Sequence, residues 1–235
     1  IHPAHGHVMS TIPVAGWTHH QAITPDGRYV LSTHPTRGGI SVTDLIENKV
    51  VHTVATGPAP NYAVVTPDGQ RVYVSNSGNG TISEIATADW KVTRTLDAGA
   101  SPEHMLLAPD GKRLYVANAR SGTVSAVSLE SGKVERDYVM GKRLHGLDIS
   151  DDGRQLFVSL ISEDKLVALD PQTDVRRVLA LTPAPYHLGA VRGTGKLYVS
   201  SRKEPKIWVV DQSSLEVLDT IRLPGGEGHQ LAIVP

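Results

Sequence analysis

Gly27, Gly69, Gly111, Gly153 and Gly195 each stand 42 residues from the next. A fixed period of this size is the signature of a repeat architecture. Four of the five glycines close an Asp-Gly pair (Asp26-Gly27, Asp68-Gly69, Asp110-Gly111, Asp152-Gly153), and Pro25, Pro67 and Pro109 precede three of those pairs. Pro presets φ, Asp caps the turn and Gly accepts the left-handed exit, so each stretch reads as a tight turn between strands.

Each unit reads as four short strands. In the second they fall at 61–66, 70–76, 80–87 and 91–97, with alternating apolar and polar residues in Thr81 to Ile85 and again in Lys91 to Leu96. Leu114-Tyr115-Val116, Leu156-Phe157-Val158 and Leu197-Tyr198-Val199 occupy the second-strand slot of later units. No segment carries a 3.6-residue apolar period over ten residues. About four strands per ~40-residue unit without helices predicts an all-β propeller of four-stranded antiparallel blades.

The end segments match partial units: His7 to Ala15 resembles a fourth strand, and His229 to Pro235 a first strand. The expectation is one propeller domain over residues 1–235, with five complete blades plus partial ones. The ring would be incomplete, with six or seven blades in the full protein and the terminal strands near one gap, because a closed ring removes sheet edges.

Tyr73-Val74-Ser75-Asn76 and Tyr115-Val116-Ala117-Asn118, each after a Pro-Asp-Gly turn, resemble the signature of the YVTN family of β-propellers. The resemblance covers essentially the whole chain. It departs most at Arg192-Gly193-Thr194-Gly195, which replaces the Pro-Asp-Gly turn. It implies the fold and export to a bacterial periplasm or cell surface. It does not select an activity, since related propellers include lactonases, redox enzymes, surface-layer proteins and scaffolds.

Composition narrows the partners. A net charge of -1 gives no electrostatic footprint for nucleic acid or an anionic membrane. No apolar run is long enough to insert across a bilayer. The chain has no Cys, so disulfides, thiolate metal sites and a catalytic thiol are excluded.

The 11 histidines carry the chemistry. Eight residues before each turn glycine stand His19, Asn61, Glu103, His145 and His187, and His229 continues the series. The next position adds His20 and His104, and His19 and His20 compete for the first slot. In a propeller this column lies at the start of the channel-lining strand and rings one mouth. The loops beginning at His34, Ser77, Ala119, Ser162 and Arg202 overhang it. Convergent polar groups around a concave mouth make a site hypothesis. The simpler reading, in which these residues bond water or loop backbone in a wet channel, is the favoured one.

For a single ion, His145, His187 and His229 form the expected trio, on consecutive blades. All-imidazole sites suit copper, zinc, nickel or iron. Asp148 either orients His145 or sits hydrated in the channel, the latter being favoured. Three function classes follow. The first is a module binding a protein partner or small ligand at the top face, with a ring of His19, His20, His145, His187, His229 and Glu103 able to hold copper or another transition metal. The second is a redox enzyme or carrier using copper or haem d1, as the resemblance allows. The third is a lactonase-type hydrolase resting on Glu103 and His104, whose adjacency along a strand predicts opposite orientations.

Overall fold

A computed structural model describes residues 7–228 and Leu231. They form five separate four-stranded antiparallel sheets and one 3-10 turn, Ile161–Glu163. Blade one holds β1 (Gln21–Ile23), β2 (Tyr29–His34), β3 (Gly39–Asp44) and β4 (Lys49–Ala55). Blade two holds β5 (Pro60–Val65), β6 (Arg71–Asn76), β7 (Thr81–Ala86) and β8 (Lys91–Asp97), within a residue of the expected spans. Blade three holds β9 (Pro102–Leu107), β10 (Arg113–Asn118), β11 (Thr123–Ser128) and β12 (Val134–Val139). Blade four holds β13 (Leu144–Ile149), β14 (Leu156–Leu160), β15 (Lys165–Leu169) and β16 (Arg176–Ala180). Blade five holds β17 (Pro185–Val191), β18 (Lys196–Ser201), β19 (Lys206–Asp211) and β20 (Val217–Arg222). Consecutive strands pair in every sheet, the meander of a propeller blade. Residues 7–15 join no sheet, and of the segment from His229 onward only Leu231 is described.

The chain divides into two compact units, Ile1–Leu96 and Asp97–Pro235. In the first, Leu31, Ile40, Val42, Val72, Val74 and Ile85 form the core, with Val65 packed on its margin. In the second, one core joins blades three and four through Ala117, Val124, Leu144 and Val158, and another joins blades four and five through Phe157, Leu166, Leu197 and Val199. Toward the ends of the first strands, Ile149 is buried while Val65, Leu107 and Val191 are half-buried.

The Pro-Asp-Gly turns work as their residues require. Thr66 donates its hydroxyl to Asp68 Oδ1 at 2.5 Å, and the same oxygen accepts the Gln70 amide at 3.0 Å. Gly69 closes the turn at φ +70°. Blade five differs. Its turn begins one residue earlier relative to the glycine, because Ala190 faces Leu197 where Ile149 faces Leu156 in blade four. The step between those two blades is therefore 41 residues.

The signature asparagine has a structural task. Asn118 is fully buried at the end of β10. Its Oδ1 accepts the Gly99 amide at 3.1 Å, and its Nδ2 donates to Ser125 Oγ at 2.7 Å and Thr123 Oγ1 at 3.3 Å. Asn76 repeats this with Gly57, Ser83 and Thr81. A Cβ on Gly99 would stand 2.4 Å from Asn118 Nδ2, so the partner must be glycine. In blade one His34 takes the same place, bonded to Trp17 O at 3.2 Å and Ser41 Oγ at 2.8 Å. It is 2% exposed, a bonded blade residue.

Asn118→Ala should destabilise the protein by about 2–3 kcal/mol, because it strands the Gly99 amide and removes the amide donor that Ser125 and Thr123 accept from. Chemical denaturation checks this, and an unchanged midpoint would contradict the assigned role.

Candidate metal centre

The first strands of blades two to five carry a β-bulge at their start, and in blade one the His19 amide and the His20 carbonyl both bond to Thr33 in the matching place. Between Pro60↔Asn76 and Ala63↔Val74, Asn61 and Tyr62 oppose Ser75 alone. Glu103 and His104 oppose Ala117, His145 and Gly146 oppose Ser159, and Tyr186 and His187 oppose Ser200. A bulge breaks strict alternation and re-aims side chains. The register therefore defines two layers. His19, Asn61, Glu103, His145 and Tyr186 take the first bulge position, and His20, Tyr62, His104, Gly146 and His187 take the second. The 41-residue step moves His187 out of the layer that the uniform period assigns it.

This offset brings three imidazoles of the second unit together. The ligand nitrogens of His104, His145 and His187 all lie within 4.8 Å of one another. Ring centroids are 4.6 Å apart for His104 and His145, 4.7 Å for His104 and His187, and 4.7 Å for His145 and His187. All three residues are buried, at 5%, 7% and 8% exposure. Glu103 and His104, expected to face opposite ways, both reach His145. Glu103 Oε2 sits 2.9 Å from His145 Nδ1.

That contact orders the protons. A carboxylate only accepts, so His145 Nδ1 carries hydrogen and its Nε2 keeps a lone pair. His187 Nε2 lies 3.2 Å from His145 Nε2. Tyr186 lies flat against His145, 4.0 Å between centroids and 6° between planes, and fixes the ring plane. Ser159 Oγ accepts the Gly146 amide at 2.8 Å and donates to Tyr186 O at 2.5 Å, tying the two bulges together.

Asp148 neither orients His145 nor stands free. Its Oδ2 accepts the Ala190 amide at 2.8 Å, and its Oδ1 pairs with Arg192 at 3.0 Å. Arg192 stands where blades one to three place the turn proline, so the departure in the fifth turn serves this clasp. A cleft of about 870 Å³ lies elsewhere in the unit, between the turns of blades three and four, and no histidine lines it. Its charges already pair, as in Arg113 with Glu135 at 2.7 Å and with Asp110 at 3.1 Å.

The remaining column residues occupy different settings. His229 lies outside the described residues. In the first unit His19 Nδ1 contacts Asn61 O at 3.2 Å. His20 is stacked on Tyr62 at 3.6 Å, and its Nδ1 accepts the Ala63 amide at 3.3 Å. His104, which completes the cluster, escaped a search at constant spacing. The second histidine-bearing position beside the column was its one sequence signal.

A family model described as YNCE-like beta-propeller matches residues 63–140. A solved structure of Kuenenia stuttgartiensis hydrazine synthase matches with a TM-score of 0.76 at 18% identity, covering 86% of this chain and 74% of that one. Sequence match and fold together support a YVTN-like β-propeller. Such propellers are common, since 1564 solved chains match, so the fold by itself selects no activity. No curated protein matches the sequence. Among the described residues no helix is long and apolar enough to cross a membrane.

Burial, and then the neighbouring His19, push the His20 pKa down to about 4 from 6.5. The unfolded chain then takes up this proton first, so stability is intact above pH 6.5 and falls as pH drops toward 4. The loss should reach about 3 kcal/mol. His20→Asn keeps an acceptor for the Ala63 amide but does not titrate. Denaturation midpoints from pH 7 to 4 should therefore fall less steeply in the variant, and parallel curves would refute the assignment.

Proposed function

We propose that this chain is an extracytoplasmic YVTN-type propeller whose His104, His145 and His187 hold a transition metal ion, and that it acts as a binding module through that centre. One observation carries the reading: three buried imidazoles from three successive blades present nitrogens within 4.8 Å of one another. Two nitrogens on a tetrahedral ion with bonds of about 2.0–2.1 Å stand about 3.3 Å apart. His145 Nε2 and His187 Nε2 stand at 3.2 Å. Glu103 on the far nitrogen of His145 supplies the carboxylate partner that metal-bound histidines usually have, holding the tautomer that leaves Nε2 for the ion.

The donor set is all nitrogen, which suits Cu(II) and Zn(II) and disfavours calcium and magnesium. Three protein ligands leave a coordination position for an exogenous group, as in catalytic rather than structural zinc sites. This supports a centre that presents its ion to something else. The resemblance supports export, and the lack of Cys is compatible with an oxidising compartment.

Full-length protein should retain about one equivalent of Cu(II) or Zn(II) after desalting, measured by elemental analysis. A hundredfold excess of free metal over Kd should raise stability by about 2.7 kcal/mol. His187→Ala should reduce metal content to background with the fold intact, and Glu103→Gln should weaken affinity about 10- to 100-fold. Wild-type protein without metal after loading, or with affinity unchanged in His187→Ala, overturns the proposal.

A further inference from the structure

The cleft of about 870 Å³ between the turns of blades three and four has a counterpart of about 180 Å³ between those of blades one and two. Pro25, Asp26, Asp68 and Gly69 line the smaller one. Pro109, Asp110, Asp152 and Gly153 line the larger one, two repeats later. The turn before each fourth strand accounts for the difference. One residue there stands at positive φ in every blade: Asn48, Trp90, Gly132, Asp174 and Leu215. Trp90 is buried, lines the smaller cleft, and meets the Tyr29 ring edge-on with centroids 5.3 Å apart. Leu215 is buried in the core between blades four and five. Asp174 is exposed and pairs with Arg136 at 3.3 Å and Arg176 at 2.7 Å. Blades two and five thus supply an apolar plug to the seam with the preceding blade. Blade four supplies a short carboxylate tied to two arginines, and its seam stays open.

The walls suit the group that is missing. Ala126 and Tyr115, directly paired across β10 and β11, both line the cleft. Tyr138 is fixed by its hydroxyl, which donates to Pro171 O at 2.6 Å. Arg113 stands two repeats after Tyr29, the ring that Trp90 meets in blade one. The edge of its guanidinium is already bonded, Nε to Glu135 at 2.7 Å and Nη1 to Asp110 at 3.1 Å. Carboxylates that close the edge leave little attraction for an anion. The flat face of a guanidinium can still stack on a π system.

We propose that this cleft binds a small planar aromatic molecule of about indole size, which takes the place that Trp90 fills from within the chain between blades one and two. Its volume falls in the range of about 300–1,000 Å³ usual for small-molecule sites. The ring would lie against Tyr115 and Arg113, with the surrounding carboxylates and guanidiniums left to polar substituents. This site is separate from the histidine cluster and does not rest on the metal reading.

The test titrates full-length protein with indole, followed by saturation-transfer nuclear magnetic resonance of the ligand and by calorimetry. A Kd of about 0.1–1 mM is expected for so few atoms. Cyclohexanol lacks a π face and should bind about tenfold more weakly. Asp174→Trp rebuilds the plug of blade two, at a backbone angle that Trp90 already adopts. It should weaken indole binding at least about tenfold, because the new side chain occupies the ligand's volume. Asp174→Leu, patterned on Leu215, makes the same test if the first variant does not fold by circular dichroism. Indole binding should be equal with and without Cu(II), since no histidine lines the cleft. Absence of indole binding to folded wild-type protein overturns the proposal. So do equal affinities for indole and cyclohexanol, displacement of indole by Cu(II), or wild-type indole binding in a folded Asp174 variant.

Discussion

One backbone device, the bulge that opens the first strands of blades two to five, governs what this protein can do. Regular pleating would send neighbouring residues to opposite faces. Because Glu103 and His104 together oppose Ala117, both stay within reach of the next blade. The device is held by small hydroxyls on the second strand: Ser75 accepts the Tyr62 amide at 3.0 Å, and Ser159 accepts that of Gly146 at 2.8 Å. Each bulge is entered through a residue at positive φ, namely Ala59, Ser101, Arg143 or Ala184. None is glycine, so the surrounding hydrogen bonds impose the conformation against its steric cost. The carbonyls of these four residues accept the amides of Ser77, Ala119, Ile161 and Arg202, which pins the strand entry to the loop above it.

The architecture was legible because turn chemistry is local. Asp68 and Gly69 need only their immediate neighbours to act, so the period alone located five sheets and their strand order. The site was less legible because it depends on register. Constant spacing put His145 and His187 in one layer. The pairing of Ala190 with Leu197 puts them in two, and this staggering lets His104 join them. Nothing in Arg192-Gly193-Thr194-Gly195 taken alone says that the turn starts early, since the reason lies in the clasp to Asp148 on the preceding blade. His34 shows the converse. Its sequence position suggested a loop at the rim, yet it fills the buried slot of Asn76 and Asn118 because an imidazole also offers one donor and one acceptor.

The same chemistry serves stability and binding, and surroundings decide between them. His20 and His104 hold equivalent bulge positions and are both buried. His20 spends its Nδ1 on a backbone amide and stacks on Tyr62, a closed arrangement in which the ring stays neutral. His104 instead faces two further imidazoles. Buried carboxylates divide in the same way. Burial disfavours the charge on Glu84, but Arg94 and Arg71 outweigh it and hold the pKa below the ordinary range, which makes Glu84 a strut between strands. Glu103 pairs with His145 and so couples to whatever that histidine binds.

The unequal step between blades four and five bears on how such a domain could be rebuilt or could evolve. An array of identical blades, copied at a strict 42-residue pitch, would reproduce every sheet and every turn. It would place each copied histidine in a single tier, with like groups facing like groups. The cluster exists because blade five stands one residue out of phase with the pitch of the other four. Functional novelty in this scaffold is thus available through a change of phase between repeats, without a new fold or an inserted loop. A search for related centres in other repeat proteins should look for broken periodicity rather than for conserved spacing.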